Sequence, residues 1–227
     1  MKERGMIFNG EMVRALHDGR KTQTRRPVKF PLIDKDAICE LSGNELAGEL
    51  SAGNYRNSPH GKPGDRIWVR ETFQGPLFNF DQMDSYCKDS TPFEKPEFCV
   101  YQADGKPAPE YFDADDNLRC CWRPSIHMPR WASRILLEIT DVRVERLNSI
   151  SEDDAQAEGM LFTDYGVGRF GQQRPGYSWK STTHTDQCLP NARMAFANLW
   201  ESIYGDYTWR ANPWVWAIEF KQIQGGK

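Results

Sequence analysis

The chain has 227 residues, of which 27% are charged and 39% are hydrophobic, and its formal net charge at pH 7 is −3. This composition is that of an ordinary globular chain and excludes a disordered or fibrous protein. The acidic balance argues against broad electrostatic binding to nucleic acid. No apolar run is long enough to span a bilayer and the N-terminus lacks the apolar stretch of a secretory signal, so we expect a cytoplasmic protein without a membrane partner.

The first predicted elements are a short strand at Met6–Phe8 and a helix over Glu11–Asp18. Asn9 precedes the helix and has the side chain of a good N-cap. Residues 21–28 are rich in threonine and arginine. Because Pro27 has no N–H to donate to a ladder, this segment is predicted to be an edge strand or an irregular strand.

The middle of the chain combines strands with long insertions. Alternating apolar residues predict strands over 67–73 and over 135–144, with a change of phase near Asp141. Residues 31–65 show little periodicity, and residues 74–118 are acidic and rich in proline. We interpret both segments as insertions, of which residues 74–118 pack on the core.

The last third is predicted to contain two helices and a strand. Ser151 caps a short helix over Glu152–Glu158, and an amphipathic helix covers Ala192–Tyr204. Strong alternation predicts a strand over Trp214–Ile223. Residues 160–190 are rich in glycine, serine and threonine, which predicts an insertion in the form of a long loop.

The arrangement of these elements indicates the fold class. Short strands are interrupted by helices without the regular spacing of βαβ units, which predicts an α+β protein built as a small mixed barrel. The length favours a single domain over residues 1–227.

A compact group of cations stands out in this acidic chain, because residues 14–29 contain Arg14, Arg20, Lys21, Arg25, Arg26 and Lys29 but only Asp18 as an acid. A threonine hydroxyl such as that of Thr24 becomes a nucleophile when a base removes its proton. Burial and neighbouring cations lower the pKa of a lysine, which would make Lys21 such a base. On the charges alone, a solvated basic turn is the simpler interpretation. Cooperation requires a turn, bulge or helical turn over residues 21–24, because residues three apart in a regular strand face opposite sides.

Other side chains are candidates for contact with a reacting group or a ligand. Glu158 lies in the last turn of a short helix, where a carboxylate is disfavoured by up to about 1 kcal/mol. That position favours a part in proton transfer, although a carboxylate there could also point into water. Aromatic and arginine side chains can stack on a nucleobase and pair with it. The candidates of this kind, each of which could equally be core or surface packing, are Trp68, Arg70, Glu71, His127 and Arg130.

A metal site is not favoured by the sequence. Cys120, Cys121 and His127 are the nearest approach to a zinc ligand set, but their spacing fits no standard pattern. We therefore predict a protein that uses neither a metal nor another cofactor.

The segment from Gly19 to Arg26 also resembles a known motif. Gly19, Lys21 and Arg26 match the G-x-K-x-x-x-x-R signature of the ASCH domain, a family with a PUA-like β-barrel fold. Residues 64–71 and 215–221 resemble the family's second and last strands, and Trp122–Trp131 is similar to the long ASCH proteins of phages and prophages. With Ser133–Glu158, the resemblance covers about half of the chain, and the segments 31–65, 74–118 and 160–190 would be insertions.

The resemblance implies an activity and a set of catalytic residues. Small bacterial ASCH enzymes are amidohydrolases that remove the acyl group from N4-acetylcytidine, using a lysine and a threonine of a G-R-K-T-x-T segment and a glutamate of a later short helix. In this sequence the matching residues are Lys21, Thr24 and, on a shorter match, Glu158. The expected partner is a nucleoside or nucleobase, and Arg26 or a backbone N–H would stabilise the oxyanion.

Three alternatives to this activity stay open at the level of sequence. PUA-like domains also bind RNA, so the chain could be an RNA-binding module without catalysis. A ribonuclease would use the same basic segment. A role in phage assembly would leave substitutions of Lys21 and Thr24 silent.

Overall fold

A computed structural model of the protein describes residues 1–113, 117–167, 173–180 and 188–224. The chain divides into two compact units, each assembled from separate stretches of the sequence. The first unit comprises residues 1–2, 18–65 and 138–221, and the second comprises residues 3–17, 66–137 and those after 221.

Helices are interspersed among runs of consecutive strands along the described chain, which is compatible with the predicted α+β class. The helices are α1 (Gly10–His17), α2 (Gly43–Ser51), α3 (Met83–Lys88), α4 (Glu152–Ala157) and α5 (Ala192–Tyr204). The strands up to the centre of the chain are β1 (Glu3–Ile7), β2 (Gln23–Pro27), β3 (Leu32–Ile33), β4 (Glu40–Leu41), β5 (Arg66–Arg70), β6 (Phe73–Gln74) and β7 (Val100–Tyr101). The later strands are β8 (Glu110–Phe112), β9 (Leu118–Cys120), β10 (Leu136–Arg146), β11 (Leu161–Val167), β12 (Gln173–Ser178) and β13 (Trp214–Gln224). Within the described ranges, none of the sheets closes into a barrel.

The first unit is built around β13, which lies between β10 and β2. The β13–β2 pair is antiparallel, with Ile218 opposite Thr24. On β10 the buried residues Ile139 and Val142 are three apart, which confirms the predicted change of phase near Asp141. The alternation shifts by one residue because neither Thr140, which is exposed, nor Asp141, which is half-buried, turns into the core.

Two segments of the first unit contain more regular structure than the sequence analysis expected. Residues 31–65 include α2, whose N-terminus is closed by a capping box in which Ser42 and Glu45 bond each other's backbone N–H. In place of the predicted long loop over 160–190, β11 and β12 form an antiparallel pair with Phe162 opposite Tyr177. The prediction of a loop was therefore wrong for those two strands, and its residues 168–172 and 181–187 lie outside the described part.

The second unit contains the parallel pair β1 and β5, followed by the beginning of β10. The Val69 N–H donates to the Ile135 carbonyl at 3.0 Å, which joins β5 to the residue preceding β10. At α1 the predicted cap is confirmed, because the Met12 N–H donates to Asn9 Oδ1 at 2.9 Å. In the residues that the structure describes, no helix has both the length and the apolar character needed to cross a membrane.

Candidate active site

The backbone of the first unit brings Lys21 next to Glu158, although 137 positions separate them in the chain. The two residues form an isolated antiparallel bridge, and the Thr22 N–H donates to the Ala157 carbonyl at 2.8 Å. Glu158 is the C-cap of α4, which begins where the Ser151 hydroxyl accepts the N–H of Asp154 at 3.0 Å. The position of Glu158 is thus set by the length of a capped six-residue helix.

The Lys21 and Glu158 side chains form a buried ion pair. Lys21 Nζ lies 2.7 Å from Glu158 Oε2 and donates to the Glu158 carbonyl oxygen at 2.9 Å. The Lys21 side chain is 0% exposed and that of Glu158 is 1% exposed. Burial lowers the pKa of Lys21, and the charges of Arg26 and Arg25 act in the same direction, while Glu158 only partly offsets them. The interpretation of this segment as a solvated basic turn is wrong at Lys21.

Arg25 completes the shell around Glu158. Its Nη1 lies 3.2 Å from Glu158 Oε1, the oxygen that Lys21 does not contact. Its Nη2 lies 2.6 Å from Glu145 Oε1 and 3.1 Å from Asp154 Oδ2, and Nη1 also donates to Gln23 Oε1. Because the Arg25 side chain is 0% exposed, this guanidinium exchanges all of its hydration for contacts with acceptors of the protein.

A second arginine links the outer carboxylates of the cluster. Arg143 contacts Glu145 Oε2 at 3.3 Å and Asp154 Oδ1 at 3.2 Å, and it also bonds Glu219. Gln23 Nε2 donates to Asp154 Oδ1 and to Glu219 Oε1, each at 3.1 Å. For Asp154, burial acts to raise the pKa, but Gln23 and the two arginines together outweigh it, so the pKa is lowered. The cluster therefore favours the charged form of Asp154.

Thr24 is also buried, with 2% of its surface exposed. In the described part of the chain, no hydrogen bond joins its hydroxyl to Lys21. The pairing with β13 extends to Thr22, whose carbonyl accepts the Phe220 N–H at 2.9 Å, and Lys21 and Arg25 both contact Glu158. Thr24 therefore lies on the opposite face of the strand from Arg25, and residues 21–24 do not form the turn or helical turn that cooperation with Lys21 requires. Arg26, the last residue of the motif, is half-buried and lies opposite Trp216 of β13.

The five other predicted contact residues belong to the second unit. Glu71 is 1% exposed and accepts both prongs of the Arg134 guanidinium, at 2.9 and 3.0 Å. Burial raises the pKa of Glu71, although Arg134 opposes the shift. Arg70 stacks over the Trp68 ring at 5.4 Å and donates to the Ile126 carbonyl.

The remaining two of these residues, His127 and Arg130, are exposed. Arg130 Nε pairs with Glu3 at 3.0 Å. These observations give Glu71 a structural partner and leave His127 on the surface of its unit.

A cleft of about 330 Å³ opens beside the cluster, which is within the size range of small-molecule sites. Gln23, Asp154 and Glu219 are among the residues that line it. Lys21, Thr24 and Glu158 are not among its lining residues.

Four members of this cluster were not predicted from the sequence: Arg25, Glu145, Arg143 and Glu219. A signal was present in β2, where Gln23 and Arg25 are two residues apart and therefore lie on one face of the strand. Nothing local to β10 or β13 indicated which residues would meet them, because those contacts join distant parts of the chain. Among the described residues, no group of His, Cys, Asp and Glu is arranged to hold a metal ion.

The fold and the cluster define a mixed α/β protein with a buried lysine–glutamate–arginine site. Comparison with known proteins adds no relative: no family model, no curated protein and no solved structure matches this chain.

Proposed function

We propose that this protein is an amidohydrolase that removes the acyl group from an N4-acylated cytosine base or nucleoside. We also propose that the chain belongs to the ASCH family and has its PUA-like fold. The motif formed by Gly19, Lys21 and Arg26 supports this family membership. The geometry of the first unit supports the proposed activity through one observation above all. Lys21, with its pKa lowered, lies 2.7 Å from a carboxylate in a site closed to solvent.

The lowered pKa of Lys21 bears on catalysis because an amine acts as a general base only without its proton. A solvated lysine is protonated at neutral pH, whereas burial favours the neutral form. Glu158 then orients the amine through its carboxylate and its backbone carbonyl. The pair therefore has the properties of an oriented base rather than those of an exposed cation.

The proposed reaction runs in two stages. Neutral Lys21 takes the proton of the Thr24 hydroxyl as its oxygen attacks the acyl carbonyl carbon. The Lys21 ammonium returns a proton to N4 as the C–N bond breaks, which releases the cytosine and leaves an acyl ester on Thr24. Water, deprotonated by Lys21, then hydrolyses the ester and restores the hydroxyl. Arg26 or a backbone N–H stabilises the negative oxygen of each tetrahedral intermediate.

The mechanism sets a geometric requirement on Thr24. Its hydroxyl must come within hydrogen-bond distance of Lys21 Nζ when the substrate is bound, since catalytic hydrogen bonds often tighten only in the complex. Thr24 lies between Gln23 and Arg25 in β2 and on the opposite face from them, whereas Lys21 and Arg25 both contact Glu158. The mechanism therefore requires residues 21–24 to rearrange when the substrate binds.

An RNA-binding module receives less support from these contacts. Electrostatic binding to RNA needs exposed cations that can replace counterions on the phosphates. Lys21 and Arg25 are buried, Arg14 is paired with Glu11 at 2.5 Å, and Arg20 is paired with Asp18 at 2.8 Å. Most of the basic segment is therefore already neutralised by the protein itself.

The proposal is tested by incubating the purified protein with N4-acetylcytidine and following the ultraviolet absorbance as cytidine forms. Thr24→Val should abolish turnover, and Thr24→Ser, which keeps a hydroxyl, should retain it. Lys21→Met should reduce kcat by about 10²- to 10⁴-fold, the usual contribution of a general base. No turnover by the wild type, or unchanged turnover in Thr24→Val, would refute the proposal. Salt-dependent RNA binding with no turnover would favour the binding module.

A further inference from the structure

The two oxygens of the Glu158 carboxylate contact two different cations. Oε2 is 2.7 Å from Lys21 Nζ, and Oε1 is 3.2 Å from Arg25 Nη1. Both cations are 0% exposed. Glu158 therefore has a second buried counterion that does not depend on Lys21.

This second counterion solves a problem that an isolated pair would have. If Lys21 and Glu158 were alone, loss of the lysine proton would leave a buried carboxylate without compensation, which is strongly unfavourable. A guanidinium keeps its charge at every pH relevant to a protein. With Arg25 in place, Lys21 can release its proton while the Glu158 carboxylate keeps a buried counterion.

We propose that Arg25 is a positioning residue that holds the Glu158 carboxylate paired and directed at Lys21 while Lys21 gains and loses its proton. The inference rests on the proposed function, because it assigns the proton exchange to a catalytic cycle. Arg25 is not one of the three motif positions Gly19, Lys21 and Arg26. Its positioning role is inferred from its contacts in this chain alone.

The surroundings of Arg25 fix its orientation. Glu145 on β10 accepts from Nε at 3.1 Å and from Nη2 at 2.6 Å, and Asp154 on α4 accepts from Nη2 at 3.1 Å. Gln23, two residues earlier on β2, accepts from Nη1. The guanidinium is thus held by acceptors on three elements, and a lysine, as a single point charge, could not satisfy all of them.

The other charged groups near this site act on it in known directions. On β2, Arg26 lowers the pKa of Lys21, as Arg25 does. Arg143 on β10 and Glu219 on β13 belong to the outer cluster, and no contact in the described chain joins either of them to Glu158. Arg143→Met is therefore a matched control, because it removes an arginine from the same cluster without touching Glu158.

The experiment measures the protonation of Lys21 directly, without substrate. The full chain is labelled with ¹³Cε-lysine, the Lys21 resonance is identified by its absence in Lys21→Met, and its titration is followed by NMR. We expect the midpoint to rise in Arg25→Gln, to stay near the wild-type value in Arg25→Lys, and to rise less in Arg143→Met. The pH profile of kcat/KM should show the same shifts, with activity at pH 7 about 10- to 100-fold lower in Arg25→Gln, as for other residues that orient a reactive group.

Several outcomes would overturn the inference. An unchanged Lys21 midpoint in Arg25→Gln would do so, as would an equal rise in Arg143→Met, because a general field would then be responsible. Should Arg25→Gln not fold, Arg25→Lys decides: we expect a lower kcat with an unchanged pH profile, and a wild-type kcat would exclude a positioning role.

The outcomes also separate this inference from the proposed function. If Lys21 responds to Arg25 as expected but N4-acetylcytidine is not hydrolysed, the proposed substrate is wrong and the coupling of the two residues stands. If the substrate is hydrolysed but Lys21 does not respond, the role of Arg25 is wrong.

Discussion

Replacing Glu158 by glutamine should destabilise the protein, and the loss should depend on pH. The substitution keeps the size of the side chain but removes the charge between Lys21 Nζ, at 2.7 Å, and Arg25 Nη1, at 3.2 Å. Removing one partner of a buried pair typically costs about 3–5 kcal/mol. Arg25 keeps Glu145 and Asp154, so the loss falls mainly on Lys21. At about 2–4 °C per kcal/mol for a chain of this size, the melting temperature should fall by roughly 10 °C.

The pH dependence follows from the lowered pKa of Lys21. Between its lowered pKa and the ordinary lysine pKa of 10.5, Lys21 binds fewer protons in the folded state than in the unfolded state, so its contribution to stability rises with pH in that range. In Glu158→Gln the two effects of Glu158 that raise the Lys21 pKa are lost, so this pKa is lowered further. The difference in free energy of unfolding between the wild type and Glu158→Gln should therefore grow as pH falls towards neutrality and shrink as pH approaches 10.5.

The measurement is urea-induced unfolding of both proteins at several pH values between 7 and 10. Lys21→Met serves as the comparison, because it leaves Glu158 paired with Arg25 and should cost only about 1–3 kcal/mol for an unsatisfied acceptor. A larger loss in Lys21→Met than in Glu158→Gln, or a deficit that does not change with pH, would refute the reasoning.

Two further predictions concern packing and the second unit. Gly43→Ala should lower the free energy of unfolding by about 1–3 kcal/mol, because a Cβ there would overlap the ring of Trp214. Gly48→Ala in the same helix meets nothing within 4 Å, so it should raise the free energy of unfolding by about 0.5–1 kcal/mol. Equal effects of the two in thermal unfolding would contradict this. Arg134→Gln should cost more than Glu71→Gln, because it leaves a carboxylate that is 2% exposed without its partner, whereas Arg134 retains Asp104 at 2.7 Å. Chemical denaturation at pH 7 compares them, and the reverse order would show that the Glu71 pair is not the dominant interaction.

Elements with strong local signals could be predicted from the sequence alone. The helix after Asn9 and the helix at Ala192–Tyr204 were predicted within a residue or two of their observed bounds, and β13 was predicted from its alternation. In each case the signal is local, because a helix cap, a helix-terminating residue or a hydrophobic period involves residues that are close together in the sequence. The same kind of signal was present but missed at α2, where Ser42 and Glu45 form a capping box.

The sequence by itself also indicated Lys21, Thr24 and Glu158 as candidates, from the chemistry of a lysine–threonine pair, the place of Glu158 at a helix end and the resemblance to a known motif. It did not determine that Lys21 and Arg25 are buried, since a run of cations is usually solvated. That was decided by tertiary structure, which supplies Glu158 and Glu145 from 137 and 120 positions away in the chain. A buried cation is tolerated only where acceptors surround it, and no local pattern encodes acceptors that lie so far along the chain.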